Sequence, residues 1–511
     1  MSSSSDSNSD LPLKPIPGGY GLPFIGAVWD RFEFFYVKGR DDFFRSRMLK
    51  HKSTVFRANM PPGPFISPNP RVIALLDAVS FPVLFDNSKV EKRDVFTGTF
   101  KPSAGFTNGY RVCNYLDPSE PKHHQIKSFL LALIALRKDH VIPLLRNYLT
   151  ELFVKVEDQV ADHGEVYFNP ISQNELFKFL FHLYCGKAPG QTKLKSDGLK
   201  LFQFWVFAQV LPLGSLGLPW YLFPLNVLED LLFHTLPLPS FLLKWDLNKL
   251  YSAVETSATE AFDLASTFGL SNDEACMNLL FVLGFNSCNG MKIVVPTLMK
   301  WVGLAGKILH QKIADEVRSV IKEEGGVTLT ALEKMPLVRS VVWESLRIEP
   351  PVAYQYATAK EDIVVRSHDA AFLVKKGEML LGFQPFATKD ERVFKDAERF
   401  VEDRFLGEEG EKLLKYVYWS NGQETEKPAA ANKQCAGKDL VELVLRVFMV
   451  ELFLRYDSFT VKLGKPTVQG PTVTITSFVK ASNFDFCSWS TTHFNMVPNP
   501  ELWHKNWENF T

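Results

Sequence analysis

Asn432-Lys433-Gln434-Cys435-Ala436-Gly437-Lys438-Asp439 runs directly into an apolar stretch with helical spacing that begins at Leu440. A cysteine set there meets unpaired amide N–H groups and the positive end of a helix dipole, and both favour a thiolate over a thiol. An anionic sulfur at a helix start is suited to ligate iron. Taken singly, a cysteine before a helix is more often a small buried apolar side chain. What distinguishes Cys435 is the company upstream of it.

Trp343-Glu344-Ser345-Leu346-Arg347 places Glu344 and Arg347 three apart, on one face of a helix where they can pair. An isolated pair of this kind is common and contributes only about 0.2 to 0.5 kcal/mol. Phe400-Val401-Glu402-Asp403-Arg404-Phe405 follows, then Trp419-Ser420-Asn421-Gly422 ahead of the cysteine. Earlier, Leu270-Ser271-Asn272-Asp273-Glu274 offers Ser271 as an N-cap with Glu274 three residues on, a capping box that opens a long apolar run. Between Glu274 and Asp315 there is no carboxylate. The part of that run from Ala275 to Val295 is nearly long enough to span a bilayer, but Asn278, Asn286, Asn289 and Lys292 interrupt it, so it reads as a buried central helix.

The rest of the chain is consistent with one large unit. Its 511 residues contain no repeat and no low-complexity linker, and lysine plus arginine equals aspartate plus glutamate at 57 each. Such a balance provides no net field to attract nucleic acid, so the partner is small or uncharged. Forty-three Phe with 14 Tyr and 10 Trp suit a large core, or a core hollowed for an apolar ligand. Six cysteines without a CxxC pair read as reduced thiols. The start, Met1-Ser2-Ser3-Ser4-Ser5-Asp6, lacks the arginines of a transit peptide, which predicts a cytoplasmic or plastid-associated protein without a transmembrane anchor. Helical spacing is clear in Phe129 to Arg137, Leu144 to Val160, Leu247 to Phe268 and Trp301 to Glu324; strands are predicted at Ser53 to Arg57, Ile363 to Val365 and Val473 to Phe478. The fold class is mainly α with small β-sheets, over residues 11–482, between a disordered stretch 1–10 and an extension 483–511 of unassigned role.

The order Glu-x-x-Arg, Asp-Arg-Phe, then Cys-Ala-Gly entering a helix resembles the haem-thiolate cytochromes of the P-450 superfamily. The resemblance implies that fold, with haem b as cofactor, Cys435 as its axial ligand, and Glu344, Arg347 and Arg404 as a structural brace. Lys92, His123, Lys127 and Asn432 fall where that family contacts the haem. The loop before the cysteine departs from the monooxygenase pattern, since Gln423 to Ala431, nine residues, separates Gly422 from Asn432. With Asn-Lys-Gln-Cys-Ala-Gly-Lys-Asp, this loop is similar to that of the plant branch acting on fatty-acid hydroperoxides: allene oxide synthases, divinyl ether synthases and hydroperoxide lyases. The missing acid–alcohol pair in Gly284-Phe285-Asn286-Ser287-Cys288-Asn289-Gly290 agrees, because a substrate that already carries a peroxide needs neither dioxygen activation nor a reductase.

By the same resemblance Asn286 and Phe96 are catalytic, and Phe96, Ser287, Cys288, Asn289 and Ser477 line the substrate pocket. Asn286 has an amide to hydrogen-bond the hydroperoxide, and Phe96 in Asp94-Val95-Phe96-Thr97-Gly98-Thr99-Phe100 is the aromatic typical of the synthases. An aromatic face beside a carbon-centred radical or cation stabilises it by about 0.5 to 2 kcal/mol. The overall likeness implies dehydration of a 13-hydroperoxide to an allene oxide. Cys288 and Asn289, where synthases have an aromatic and a glycine, keep the divinyl ether product open, and peripheral membrane association is a further expectation. A hydroperoxide lyase, a monooxygenase and a non-catalytic haem sensor are lesser alternatives.

Overall fold

A computed structural model describes residues 11–465 and 470–481; the terminal segments 1–10 and 483–511 assigned above lie outside the described residues. The central helix starts as its capping box dictates: Ser271 Oγ accepts the Glu274 N–H at 3.2 Å and Glu274 Oε2 accepts the Ser271 N–H at 3.2 Å. It runs Asn272–Phe285, passes through a turn of π-helix at Asn286–Met291 and resumes as Lys292–Ala305. By length and composition it could cross a membrane, yet more than half of its most apolar window is buried. Apolar side chains all round it are therefore explained by neighbours: Phe168–Cys185, Gly198–Val210, Lys244–Glu255 and Pro336–Ile348 pack against it.

The helix after the cysteine, Lys438–Arg455, is buried from Val444 to Leu454 without a break. It packs on Lys307–Glu324, on Pro336–Ile348 and on Pro121–His163. These helices form one continuous apolar core, to which Phe96 and Phe285 are attached at the edge.

Three helical expectations are redrawn. Phe129 to Arg137 and Leu144 to Val160 belong to one 43-residue helix, Pro121–His163, which continues past Pro143. Burial of Val141, Leu145 and Leu149 on its core face offsets the hydrogen bond that proline removes. The run from Leu247 to Phe268 divides into Lys244–Glu255 and Thr259–Thr267. There the Thr256 and Ser257 hydroxyls donate to the Ser252 and Ala253 carbonyls at 2.8 and 2.6 Å, a local competition with the helix ladder. The run from Trp301 to Glu324 breaks at Gly306, whose φ of 77° ends one helix and begins the next.

The main sheet has five strands in the order Val55–Asn59, Arg71–Leu75, Met379–Phe383, Tyr354–Ala359 and Val90–Glu91. Only the pairing of Arg71–Leu75 with Met379–Phe383 is parallel among them. Its last edge delivers the chain to Lys92 and the Phe96 loop. A hairpin, Tyr456–Leu463 with Val473–Lys480, leans on Lys292–Ala305 and carries Ser477.

Candidate active site

Cys435 lies ahead of its helix, whose N-cap is Gly437. Its N–H points to the Trp419 carbonyl at 3.5 Å and its own carbonyl accepts the Lys438 N–H at 3.2 Å. Burial pushes the thiol up from its ordinary range, while the Lys127 cation and the Gly437 N–H act in the opposite direction. The helix start thus offers the sulfur one amide, which alone does not outweigh desolvation; a coordinated metal ion removes the thiol proton outright. Asn432 serves the loop: Oδ1 accepts the Ala429 and Gln434 N–H groups, each at 3.2 Å, and Nδ2 donates to the Lys427 carbonyl at 3.0 Å. A Cβ at Gly422 would lie 2.7 to 2.9 Å from the Gln434 side chain, so the absence of a side chain there lets the two ends of the loop close.

Lys92, His123 and Lys127 do come together near this loop, and Lys433 joins them. Lys127 Nζ donates to the Gln434 carbonyl, Lys92 Nζ to Asn421 Oδ1, and Lys433 Nζ to the Asn114 carbonyl at 2.7 Å. All these acceptors are neutral. Burial depresses Lys92 far below its ordinary value, lowers Lys127, and brings Lys433 down to about 8. His123 is fully buried and falls to about 4, through burial first and then the Lys433 and Lys127 cations. Neither of its ring nitrogens has a well-formed hydrogen bond. The nearby acid, Asp117, spends its oxygens on the Lys92 and Ser119 backbone N–H groups and the Ser119 hydroxyl. A group of basic side chains, Lys92, His123 and Lys127 buried and Lys433 partly so, with only neutral partners, is completed by an anion. The two carboxylates of a haem whose iron meets Cys435 fit this demand. Lys433 and Asn421 escaped the sequence reading because a lysine or asparagine in a polar loop ordinarily marks a solvated turn.

The turn Cys113–Tyr115 joins this cluster to the central helix, for the Cys113 N–H donates to Asn278 Oδ1 at 2.9 Å. There an aromatic wall begins. Phe96 meets Phe285 edge to face, with centroids 5.8 Å apart, and Tyr115 at 6.1 Å; Phe285 stacks on Phe281 at 4.1 Å. Asn286 follows Phe285 and opens the π-helical turn, so Phe96 and Asn286 are brought to one neighbourhood. Single π turns inside α-helices occur often at functional sites because they displace side chains from the regular ladder. Ser287 and Cys288 share that turn with Asn289, but the side chains of Ser287 and Cys288 lie outside the described residues. Ser477 sits on the hairpin with its hydroxyl 2.6 Å from that of Thr460.

Glu344, Arg347 and Arg404 meet in a buried cluster. Glu344 accepts Arg347 Nε and Nη2 at 2.7 Å each, Arg404 Nε at 3.0 Å on both oxygens, and the Val401 N–H at 3.0 Å. The remaining guanidinium donors hold the carbonyls of Thr388, Lys395, Asp396, Ala397 and Arg399. This irregular segment leads to Trp419 and the cysteine loop, so the ion cluster fixes the approach to the site.

Residues 307–483 match the cytochrome P-450 family model. The chain is 53% identical to "Allene oxide synthase 1, chloroplastic" of Solanum lycopersicum, over 92% of this chain and 87% of that protein. It is 52% identical to an allene oxide synthase of Parthenium argentatum, over 93% and 99%, and 49% identical to "Allene oxide synthase, chloroplastic" of Arabidopsis thaliana, over 93% and 90%. The names of the first and third overturn the expectation of a cytoplasmic or plastid-associated protein drawn from the start of the sequence: both of these relatives are named chloroplastic. Nothing in a short serine-rich start revealed this. With a cysteine loop, a basic cradle and an aromatic wall next to a carboxylate-free helix, and with half-identity to these proteins over nearly its full length, the chain belongs to the allene oxide synthase branch of the haem-thiolate cytochrome P-450 superfamily.

Proposed function

We propose that the protein dehydrates a polyunsaturated fatty-acid hydroperoxide to an allene oxide in oxylipin synthesis, with haem b held by Cys435 and with a 13-hydroperoxide as the preferred substrate. The observation that carries the reading is the central helix around Asn286, which has an amide and no carboxylate from Ala275 through Ala305. Dioxygen activation needs protons delivered at this position; removal of water from a hydroperoxide does not. Substrate and allene oxide differ by one water, so the conversion has no net redox change and no reductase is required.

A haem held by Cys435 and by the basic side chains beside it would supply the one-electron chemistry needed to open the peroxide bond and to oxidise the substrate radical. The protein's own contributions are positional. Cys435 supplies the donor sulfur; Lys92, His123, Lys127 and Lys433 hold the carboxylates; the Asn286 amide orients the hydroperoxide. Phe96, braced edge-on by Phe285, offers its face to the carbon centre as positive charge develops, before a proton is lost and the allene oxide forms.

Peripheral association with a membrane supplies the apolar substrate. From Leu201 to Leu243 the acidic and basic residues are Glu229, Asp230 and His234. Glu229 and His234 are buried, and Asp230 is paired with Arg31 through two 2.7 Å bonds. Trp220, Tyr221 and Phe241 are exposed on this segment, as are Phe24, Ile25 and Trp29 on the neighbouring one, which the Phe32–Phe223 contact at 5.4 Å joins to it. An apolar segment of this length, without a free charge and with exposed aromatic side chains, suits the headgroup boundary of a bilayer.

The test is product analysis. Haem-loaded protein given a linolenate 13-hydroperoxide should yield ketols from hydrolysis of an allene oxide, and Cys435→Ser should abolish this. A vinyl ether would reassign the reaction to the alternative that Cys288 and Asn289 leave open.

A further inference from the structure

Glu424 lies within the nine-residue stretch between Gly422 and Asn432 and has no part in the chemistry above. Its carboxylate is buried, and both oxygens are engaged: Oε2 accepts the indole N–H of Trp419, and Oε1 pairs with Lys438 Nζ at 3.0 Å. Its own N–H donates to the Val417 carbonyl at 2.7 Å, beside the bridge between Tyr418 and Gln423. This small hairpin supports the cysteine loop, because the Trp419 carbonyl faces the Cys435 N–H at 3.5 Å and the Gln434 amide donates to the Gln423 carbonyl at 2.6 Å. Lys438 opens the helix that follows the cysteine. One buried carboxylate therefore joins the residue behind Cys435 to the residue that starts its helix.

Burial and the Glu442 carboxylate push the Glu424 carboxyl up to about 7, against the pull of Lys438 and Trp419. Lys438 is itself buried, and its other acidic neighbour, Asp439 at 3.5 Å, is exposed. Each member of the pair needs the other, since a buried charge left without its partner is far costlier than the absence of both.

We propose that Glu424 is a positioning residue for the axial sulfur: by tying Trp419 to Lys438 it fixes the Cys435 loop on its helix, so that the sulfur meets iron as a thiolate in one place. The proposal rests on ligation of haem by Cys435. The experiment uses the full-length, haem-loaded protein and the Soret band of its ferrous–CO complex, which separates thiolate from neutral-thiol ligation. Loss of a hydrogen-bonded charged partner should raise the thiol-to-thiolate ratio about tenfold in Glu424→Gln. Trp419→Phe, which keeps the ion pair, should shift the ratio the same way by less, and it carries the test if Glu424→Gln does not fold. The double variant Glu424→Gln/Lys438→Met removes both charges and should return toward the wild-type ratio. A wild-type ratio in both single variants, or a double variant no better than Glu424→Gln, overturns the proposal. A wild-type protein without a thiolate band overturns the ligation reading, and the proposal with it.

Discussion

Glu344→Gln is the sharpest perturbation of the frame that carries the cysteine. Glu344 and Arg347 are completely buried, and Arg404 pairs with the same carboxylate with little exposure. Glutamine keeps the volume and one acceptor oxygen but leaves two guanidinium ions facing a neutral amide. Removing one partner of a buried ion pair costs about 3 to 5 kcal/mol. With native stability on the order of 5 to 15 kcal/mol, that is a large share of the total, about a hundred- to several-thousandfold in the unfolding equilibrium. Urea unfolding should show a midpoint lowered accordingly with an unchanged slope, since the surface exposed on unfolding stays the same. Arg404→Lys keeps a charge but not the fork that reaches Lys395, Asp396 and Arg399, so a smaller loss of about 1 to 3 kcal/mol follows. A Glu344→Gln protein within about 1 kcal/mol of wild type would falsify the idea that this cluster holds the approach to Cys435.

Phe96→Leu should retain hydroperoxide consumption but lower allene oxide relative to chain cleavage by roughly two- to thirtyfold, the equivalent of about 0.5 to 2 kcal/mol, measured as the ketol-to-aldehyde ratio. Lys127→Met should act with opposite signs on two observables: haem affinity falls about ten- to a hundredfold through the lost charge-assisted contact, while the haem-free protein, relieved of a buried cation, becomes no less stable. His123 gives a pH dependence to the haem-free protein. Its folded value of about 4 lies below the ordinary 6.5, so the unfolded chain binds the extra proton between these limits and stability falls as pH drops from 6.5 towards 4, by up to about 3 kcal/mol. Thermal melts across that window should show the loss, and His123→Gln should remove it.

Much of the frame was legible from local chemistry. The capping box at Ser271 and Glu274 placed the start of the central helix because two reciprocal hydrogen bonds need only those residues. Glu344 with Arg347 was visible as a helix-face pair, but its burial and the three carbonyls that Arg347 holds depend on chain packed from a distant segment. The π turn at Asn286–Met291 had no signal in apolar spacing, since the helix before it is apolar on every side and has no stripe whose shift would mark an extra residue. The basic cradle was half visible. Lys92, His123 and Lys127 follow from the family resemblance, whereas Lys433 sits in a polar loop and takes its meaning from its bonds to the Cys113 and Asn114 carbonyls. The apolar segment from Leu201 to Leu243 was present in the residues, but its meaning emerged once Asp230 was found turned towards Arg31 and Glu229 found buried.

The central claim is that the Cys435 thiolate serves a peroxide already present in the substrate. The direct measurement is anaerobic turnover of a linolenate 13-hydroperoxide by haem-loaded protein without any electron donor, followed by loss of the conjugated diene and by product mass. The account predicts full consumption, with ketols of the substrate's own mass that carry one oxygen from solvent water, because the allene oxide loses one water in the enzyme and regains one on hydrolysis. Consumption that waits for a reductant or for dioxygen would contradict it.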